Sequence, residues 1–140
     1  MNETMKFALE HIGLPARDPK ALAQWYEAIL AAKRVGPGGD MPPFFVALPD
    51  GPMLEIYAAT SALAQTSDNG LAGFRHLALR VESIETARIE LVRRGVAFSD
   101  PVKPAAGGGR VLFFRDAEGN LLHLVERPEG SAFPPNRPME

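Results

Sequence analysis

At 140 residues the chain has room for one compact domain or two small fused halves. Its 46% hydrophobic and 23% charged content is that of an ordinary globular protein, and a formal charge of −2 leaves no electrostatic footprint for nucleic acid. Zero cysteines exclude disulfides and thiolate sites, no apolar run approaches the roughly 18 residues of a membrane span, and "MNETMKFALEH" lacks the regions of a signal peptide. A cytoplasmic protein with neither nucleic-acid nor membrane partners is expected.

The first candidate strand is "KFALEHIGL", residues 6–14. Asp18 then offers an N-cap and Pro19 an N1 residue, and Leu22, Trp25, Tyr26, Ile29 and Leu30 recur at the spacing of one helical face. Glycine and proline crowd residues 36–43, a loop, and "FFVALP" and "PMLEIYA" read as two strands joined by the turn "PDGP". A polar linker spans about 59–70. The order then repeats. "FRHLALRV" is a strand, Ser83 caps a helix carrying Ile84, Ala87, Leu91 and Val92, and Gly95 closes it. "VAFSD" is a short strand, "PVKPAAGGG" a flexible loop or a lid, and "RVLFFR" and "NLLHLVER" the last hairpin across "DAEGN". The remainder, 128–140, is too rich in proline and polar residues for a core and reads as a flexible tail.

The chain is therefore an α+β tandem of strand–helix–strand–strand–strand modules, 6–58 and 73–127, together one domain over 6–127. His11 opens "HIGL" in the first strand as His76 opens "HLAL" in the fifth, 65 positions on. Glu55 follows Gly51 by four residues as His123 follows Gly119 by four, and these two slots are 68 apart. All three histidines of the chain fall in these slots, and the fourth slot holds a carboxylate. A buried unpaired imidazole in a strand such as "GNLLHLVER" costs roughly 1–3 kcal/mol, so each ring needs a partner. Four strands each aiming one such group at a shared concave face would hold one divalent ion of the class Zn, Fe, Mn, Co or Ni. Gly13, Ala78 and Arg80 fall on the same side by alternation, the first two leaving room for substrate and the third meeting a carboxylate.

The doubled unit, with "HIGLPARDPKALAQWYEAIL", "HLALRVESIETARIELVRRGV" and "FFRDAEGNLLHLVE", resembles the vicinal oxygen chelate superfamily, which includes glyoxalase I, extradiol dioxygenases, fosfomycin-resistance enzymes and bleomycin-binding proteins. The resemblance implies a curved mixed sheet around a divalent metal, with ligands at His11, Glu55, His76 and His123. Family members commonly dimerise, and some build each site from modules of two chains, so a homodimer is expected. Two departures bear on chemistry. The last-strand ligand is normally a glutamate, where this chain has His123; Glu126, on the opposite face of an ideal strand, is the alternative ligand. Pro15 also stands where glyoxalase I has a glutathione-contacting arginine, which argues against glutathione. Three imidazoles and one carboxylate leave a divalent centre with about one net positive charge, a stronger Lewis acid than the usual neutral set. Among the ligands only Glu55 could act as a base, which disfavours two-base epimerisation; His11, His76 and Glu55 also make the two-His-one-carboxylate set of non-haem iron oxygenases. The expectation is a metal-dependent enzyme, a glyoxalase-type lyase or isomerase or a ring-cleaving dioxygenase, acting on a small substrate that chelates through vicinal oxygens. The alternative is a non-catalytic drug- or small-molecule-binding protein of the bleomycin-resistance kind.

Overall fold

The computed structural model describes residues 5–36, 39–61 and 68–133. The first module runs β1 (His11–Ala16), α1 (Pro19–Leu30), β2 (Lys33–Val35), β3 (Phe44–Ala47) and β4 (Met53–Ala58). The second runs β5 (His76–Arg80), α2 (Ile84–Arg93), β6 (Lys103–Pro104), β7 (Arg110–Arg115) and β8 (Leu121–Glu126). Each forms its own four-stranded mixed sheet, ordered β1-β4-β3-β2 and β5-β8-β7-β6, with the first strand of the module parallel to the last. This is the α+β architecture expected from the repeat.

Local chemistry sets the helix ends. The Asp18 carboxylate accepts from Ala21 N–H at 3.1 Å with Pro19 in the first turn, and Ser83 Oγ accepts from Thr86 N–H at 3.2 Å. Along α1, Leu22, Ala23 and Tyr26 enter the core of the first sheet while Ile29 enters that of the second, so one helix is shared by both halves. Trp25, Leu30 and Leu77 pack against both cores and join them. On α2 only Ile84 and Leu91 are buried; Val92, expected on the inner face, turns outward because 84, 87 and 91 already fill the narrow stripe that meets the sheet.

Three strand boundaries differ from expectation. The first strand begins at His11 because its partner begins at Met53; upstream only the Glu10 carbonyl is paired, by Met53 N–H, and Phe7 and Leu9 are exposed. β2 gives little strand signal, since its three residues are Lys33, Arg34 and Val35, and it starts only three residues after α1. "VAFSD" is not a strand: Val96 N–H returns to the Leu91 carbonyl at the helix end, and the ladder forms later, at Lys103–Pro104. That pairing lies inside the expected loop, where residues 105–109 close a tight turn onto β7. A Cβ at Gly109, whose φ is +99°, would collide with the Glu126 carbonyl, so this strand start requires glycine. Arg127 ties the same turn down by donating to the carbonyls of Ala106 and Gly108. Of the expected tail, residues 128–133 fold back, the Phe133 ring lying 4.2 Å from the Arg127 guanidinium; residues 134–140, like 62–67 of the linker, lie outside the described residues.

Candidate metal centre

The parallel pairing of first and last strand builds the same row twice. In the first sheet Phe45, Glu55 and Gly13 lie side by side; in the second, Phe113, His123 and Ala78 do. Because side chains alternate, His11 and His76, two residues before the small residue of each row, point to the same face as the row. Leu54 and Ile56, and Leu122 and Leu124, point the other way, into the cores. His11 Nε2 accordingly lies 3.6 Å from Glu55 Oε1, and the His76 and His123 rings lie 4.6 Å apart. An aromatic edge backs each pair: Phe45 meets His11 and Phe113 meets His76, both at 6.0 Å between centroids and nearly perpendicular. The sequence reading missed these phenylalanines, although Phe45 and Phe113 are 68 positions apart, the same offset as Glu55 and His123.

Each histidine has its Nδ1 beside an acceptor. His11 Nδ1 lies 2.8 Å from Glu10 Oε1, His76 Nδ1 2.7 Å from Asn69 Oδ1, and His123 Nδ1 3.2 Å from the Leu124 carbonyl. Each of these oxygens can accept from an Nδ1–H, the tautomer that leaves the Nε2 lone pair for a metal, and at His11 that Nε2 faces Glu55 Oε1 at 3.6 Å. His123 is the buried member. Burial pulls its pKa below the usual imidazole value, helped by the neighbouring charges of His76 and Arg127 and opposed by the Leu124 carbonyl. The neutral ring, the form that ligates, is favoured.

Glu126 is placed elsewhere. Its carboxylate accepts from Ile84 N–H at 2.9 Å, capping α2, and from Arg110 at 2.8 Å. These contacts hold its pKa below the ordinary carboxylate range, the Ile84 N–H first and Arg110 next. Gly13 leaves no open room, because the Tyr57 ring lies over it, 3.4 Å from where a Cβ would stand. Arg80 donates to the Phe133 carbonyl at 3.0 Å.

Within one chain the donors form two pairs, His11 with Glu55 and His76 with His123; among the described residues no group of three or more His, Asp or Glu side chains is placed to hold one ion. A cavity of about 1250 Å³ opens between the modules against Ile12, Leu30, Leu77, Leu79 and the 48–52 turn, and none of the four donors lines it. The donor chemistry fits a divalent ion, two imidazoles in one pair and an imidazole with a carboxylate in the other, and each pair would supply at most half a coordination sphere.

Comparison with known proteins agrees with this architecture. A domain of the glyoxylase/bleomycin resistance protein/dioxygenase type from Frankia sp. EAN1pec superposes with a TM-score of 0.67 at 27% identity, covering 91% of this chain and 96% of the other. The fosfomycin resistance protein FosX of Listeria monocytogenes, solved as a variant with Mn(II) and 1S,2S-dihydroxypropylphosphonic acid, gives 0.65 at 21% identity over 89% and 94%. TnmS3, an antibiotic binding protein from Streptomyces sp. CB03234, gives 0.67 at 21% identity over 90% and 100%. No functionally curated protein matches the sequence. The family model for the Glyoxalase/Bleomycin resistance protein/Dioxygenase superfamily matches residues 8–124, and the chain belongs to that superfamily, the vicinal oxygen chelate group.

Proposed function

We propose that this protein is a metal-dependent enzyme whose substrate chelates one divalent ion through adjacent oxygens, with His11, Glu55, His76 and His123 as the ligands. The supporting observation is that every histidine of the chain has Nδ1 against an acceptor and lies on the same sheet face as its partner donor. A bound ion would supply Lewis acidity to the chelating oxygens, stabilising negative charge as it develops there. Glu55, whose carboxylate is partly exposed beside His11, takes up or returns a proton at its free oxygen. Phe45, Phe113 and Tyr57 stand beside the donors and would give a substrate apolar contact.

The site is completed by a second copy of the chain. Each chain carries two half-sets on separate faces, His11 and His76 are exposed, and β1 and β5 are both edge strands. The segments entering those strands expose Phe7, Leu9 and Phe74, an apolar surface that a homodimer would cover. Untagged protein reconstituted separately with Zn, Mn, Fe, Co and Ni is expected to retain about one ion per chain and to sediment as a dimer, with His76→Ala abolishing retention. Wild-type protein that retains none of the five would end this reading. The second reading, a binding protein without chemistry, draws support from the likeness to TnmS3 and from the aromatic backing of both faces. Ligand binding that persists unchanged after chelator treatment would favour it.

A further inference from the structure

The half-sites differ in what stands behind their exposed histidines. Glu10, the residue before His11, puts a carboxylate oxygen 2.8 Å from its Nδ1. Asn69, seven residues before His76, puts an amide oxygen 2.7 Å from that ring's Nδ1. A free imidazole in water prefers its proton on Nε2, which would occupy the lone pair a metal needs. His123 is buried and its tautomer is set by its own backbone neighbour, the Leu124 carbonyl. His76 is exposed, so without Asn69 water would satisfy either tautomer; at His11, Glu55 Oε1 lies 3.6 Å from Nε2, so without Glu10 that carboxylate would draw the proton to Nε2.

We propose that Glu10 and Asn69 are positioning residues that hold His11 and His76 in the Nδ1–H tautomer and so aim Nε2 at the metal, with Glu10 contributing more than Asn69. The proposal rests on the metal reading above and adds to it the residues that prepare the ligands. A carboxylate accepting from Nδ1–H holds that proton more strongly than an amide does, because the hydrogen bond is charge-assisted. Glu10 also adds a negative charge beside the half-site that already holds Glu55, whereas the His76–His123 half-site has no carboxylate ligand. The two roles are therefore unequal in electrostatics though alike in geometry. Asn69 has a further consequence. It belongs to the segment joining the modules, so the path of that segment is coupled to the orientation of His76.

Long-range proton–nitrogen correlation spectra of the metal-free full-length protein above pH 8 report the tautomer of each ring directly. In the wild type His11 and His76 are expected mainly as Nδ1–H. Asn69→Ala should return His76 to Nε2–H and leave His11 unchanged; Glu10→Ala should do the converse. Glu10→Gln and Asn69→Asp keep an acceptor oxygen and should keep the tautomer. Zn(II) affinity, measured by competition with a chelating dye, should fall about 10- to 100-fold in the two alanine variants and less in the conservative ones. Nε2–H rings in the wild type, or alanine variants whose tautomers do not move, would overturn the proposal. The spectra need no metal, so a wild type that retains none of the five ions yet holds both rings as Nδ1–H would refute the metal reading while leaving the control of each tautomer by Glu10 and Asn69 standing.

Discussion

The two modules repeat the same strands and helices, yet their last hairpins do different work. In the second module the turn between β7 and β8 reaches across to α1 of the first. Asp116 is buried, accepts from the Tyr26 hydroxyl at 2.8 Å, and also takes the backbone N–H groups of Glu118 and Asn120. Glu118 accepts from the N–H groups of Arg17 and Asp18 and from the Arg17 guanidinium, clasping the start of α1. The matching turn of the first module, Leu48–Pro52, makes no such clasp among the described residues and instead lines the open cleft. α2 is tied to its own sheet by Glu126, which caps it, and by Arg110, which pairs with Glu85, while Arg94 at its end donates to the Ile29 carbonyl of α1. The repeat thus specifies the backbone of each half, and the polar side chains of one turn add to the shared apolar face of α1 in joining the halves.

The largest expected effect comes from breaking that turn. Asp116→Ala strands a buried hydroxyl and two turn N–H groups together and should cost about 3 kcal/mol in urea unfolding. Tyr26→Phe removes one hydrogen bond and should cost about 1 kcal/mol. Burial first, then the charge and hydrogen bond of Asp116, raise the Tyr26 pKa well above 10. A raised tyrosine pKa means that its contribution is complete below pH 10 and fades as pH rises towards the folded value. Wild type should therefore lose stability in that alkaline range faster than Tyr26→Phe, and parallel curves would show that the hydroxyl is not buried as described.

The next contrast lies within β8. His123 and Glu126 fall on opposite faces, the one towards the donor pair and the other capping α2. Metal affinity should drop about 100-fold in His123→Ala, an estimate from loss of a ligand or its orientation, and stay within about twofold in Glu126→Gln, because that carboxylate is committed elsewhere. Glu126→Gln should instead lower stability by about 1 kcal/mol through the weakened cap and Arg110 contact. The reverse pattern by isothermal titration and urea melts would place the wrong side chain on the metal face.

Glu118 gives a smaller effect with a definite sign. Burial works to raise its pKa, and the Arg17 N–H, the Arg17 guanidinium and the Asp18 N–H outweigh that, leaving it below the ordinary 4.5. A depressed carboxylate stabilises the fold above the unfolded pKa and loses that contribution as pH falls through the folded one. Glu118→Gln should cost about 1 kcal/mol at pH 7, and the gap from wild type should close as pH is lowered below 4.5. A gap that stays constant with pH would mean that the clasp acts through shape and not through charge.

What could be read in the sequence follows from which physical signals are local. Both helix starts were legible because Asp18 with Pro19, and Ser83, act on N–H groups within three residues. The common face of His11 and Glu55, and of His76 and His123, was legible because strand alternation has a period of two. The start of β1 was not, because it depends on where β4 begins 42 positions on, and residues 6–10 alternate as well as any strand. "VAFSD" has strand composition but follows a helix whose last turn captures Val96 through the Leu91 carbonyl. The division of the donors into two pairs was illegible for a similar reason: it depends on α1 burying residues in both cores, and the sequence pattern shows only one apolar stripe. Glu10 and Asn69 carried no motif at all, since a hydrogen bond to a neighbouring or distant polar side chain has no periodicity.

The smallest expected effect tests how far the pseudo-equivalence of the two rows extends. Gly13 and Ala78 occupy the same slot, beside Glu55 and His123, and differ by one methyl group. A Cβ at position 13 would stand 3.4 Å from Tyr57 Cε1 and 3.5 Å from its hydroxyl, at the edge of ordinary van der Waals contact. Tyr57 is 39% exposed, so its ring can shift without disturbing the core. Gly13→Ala also removes backbone freedom from the unfolded chain, worth about 0.4–1 kcal/mol where the native conformation suits alanine, and β1 is an ordinary strand there. The two contributions oppose, and the melting temperature should move by no more than about 3 °C in either direction. A loss of about 2 kcal/mol or more would mean that Tyr57 is locked over the glycine, and that the first module's face is shaped by that ring in a way the second module's face is not.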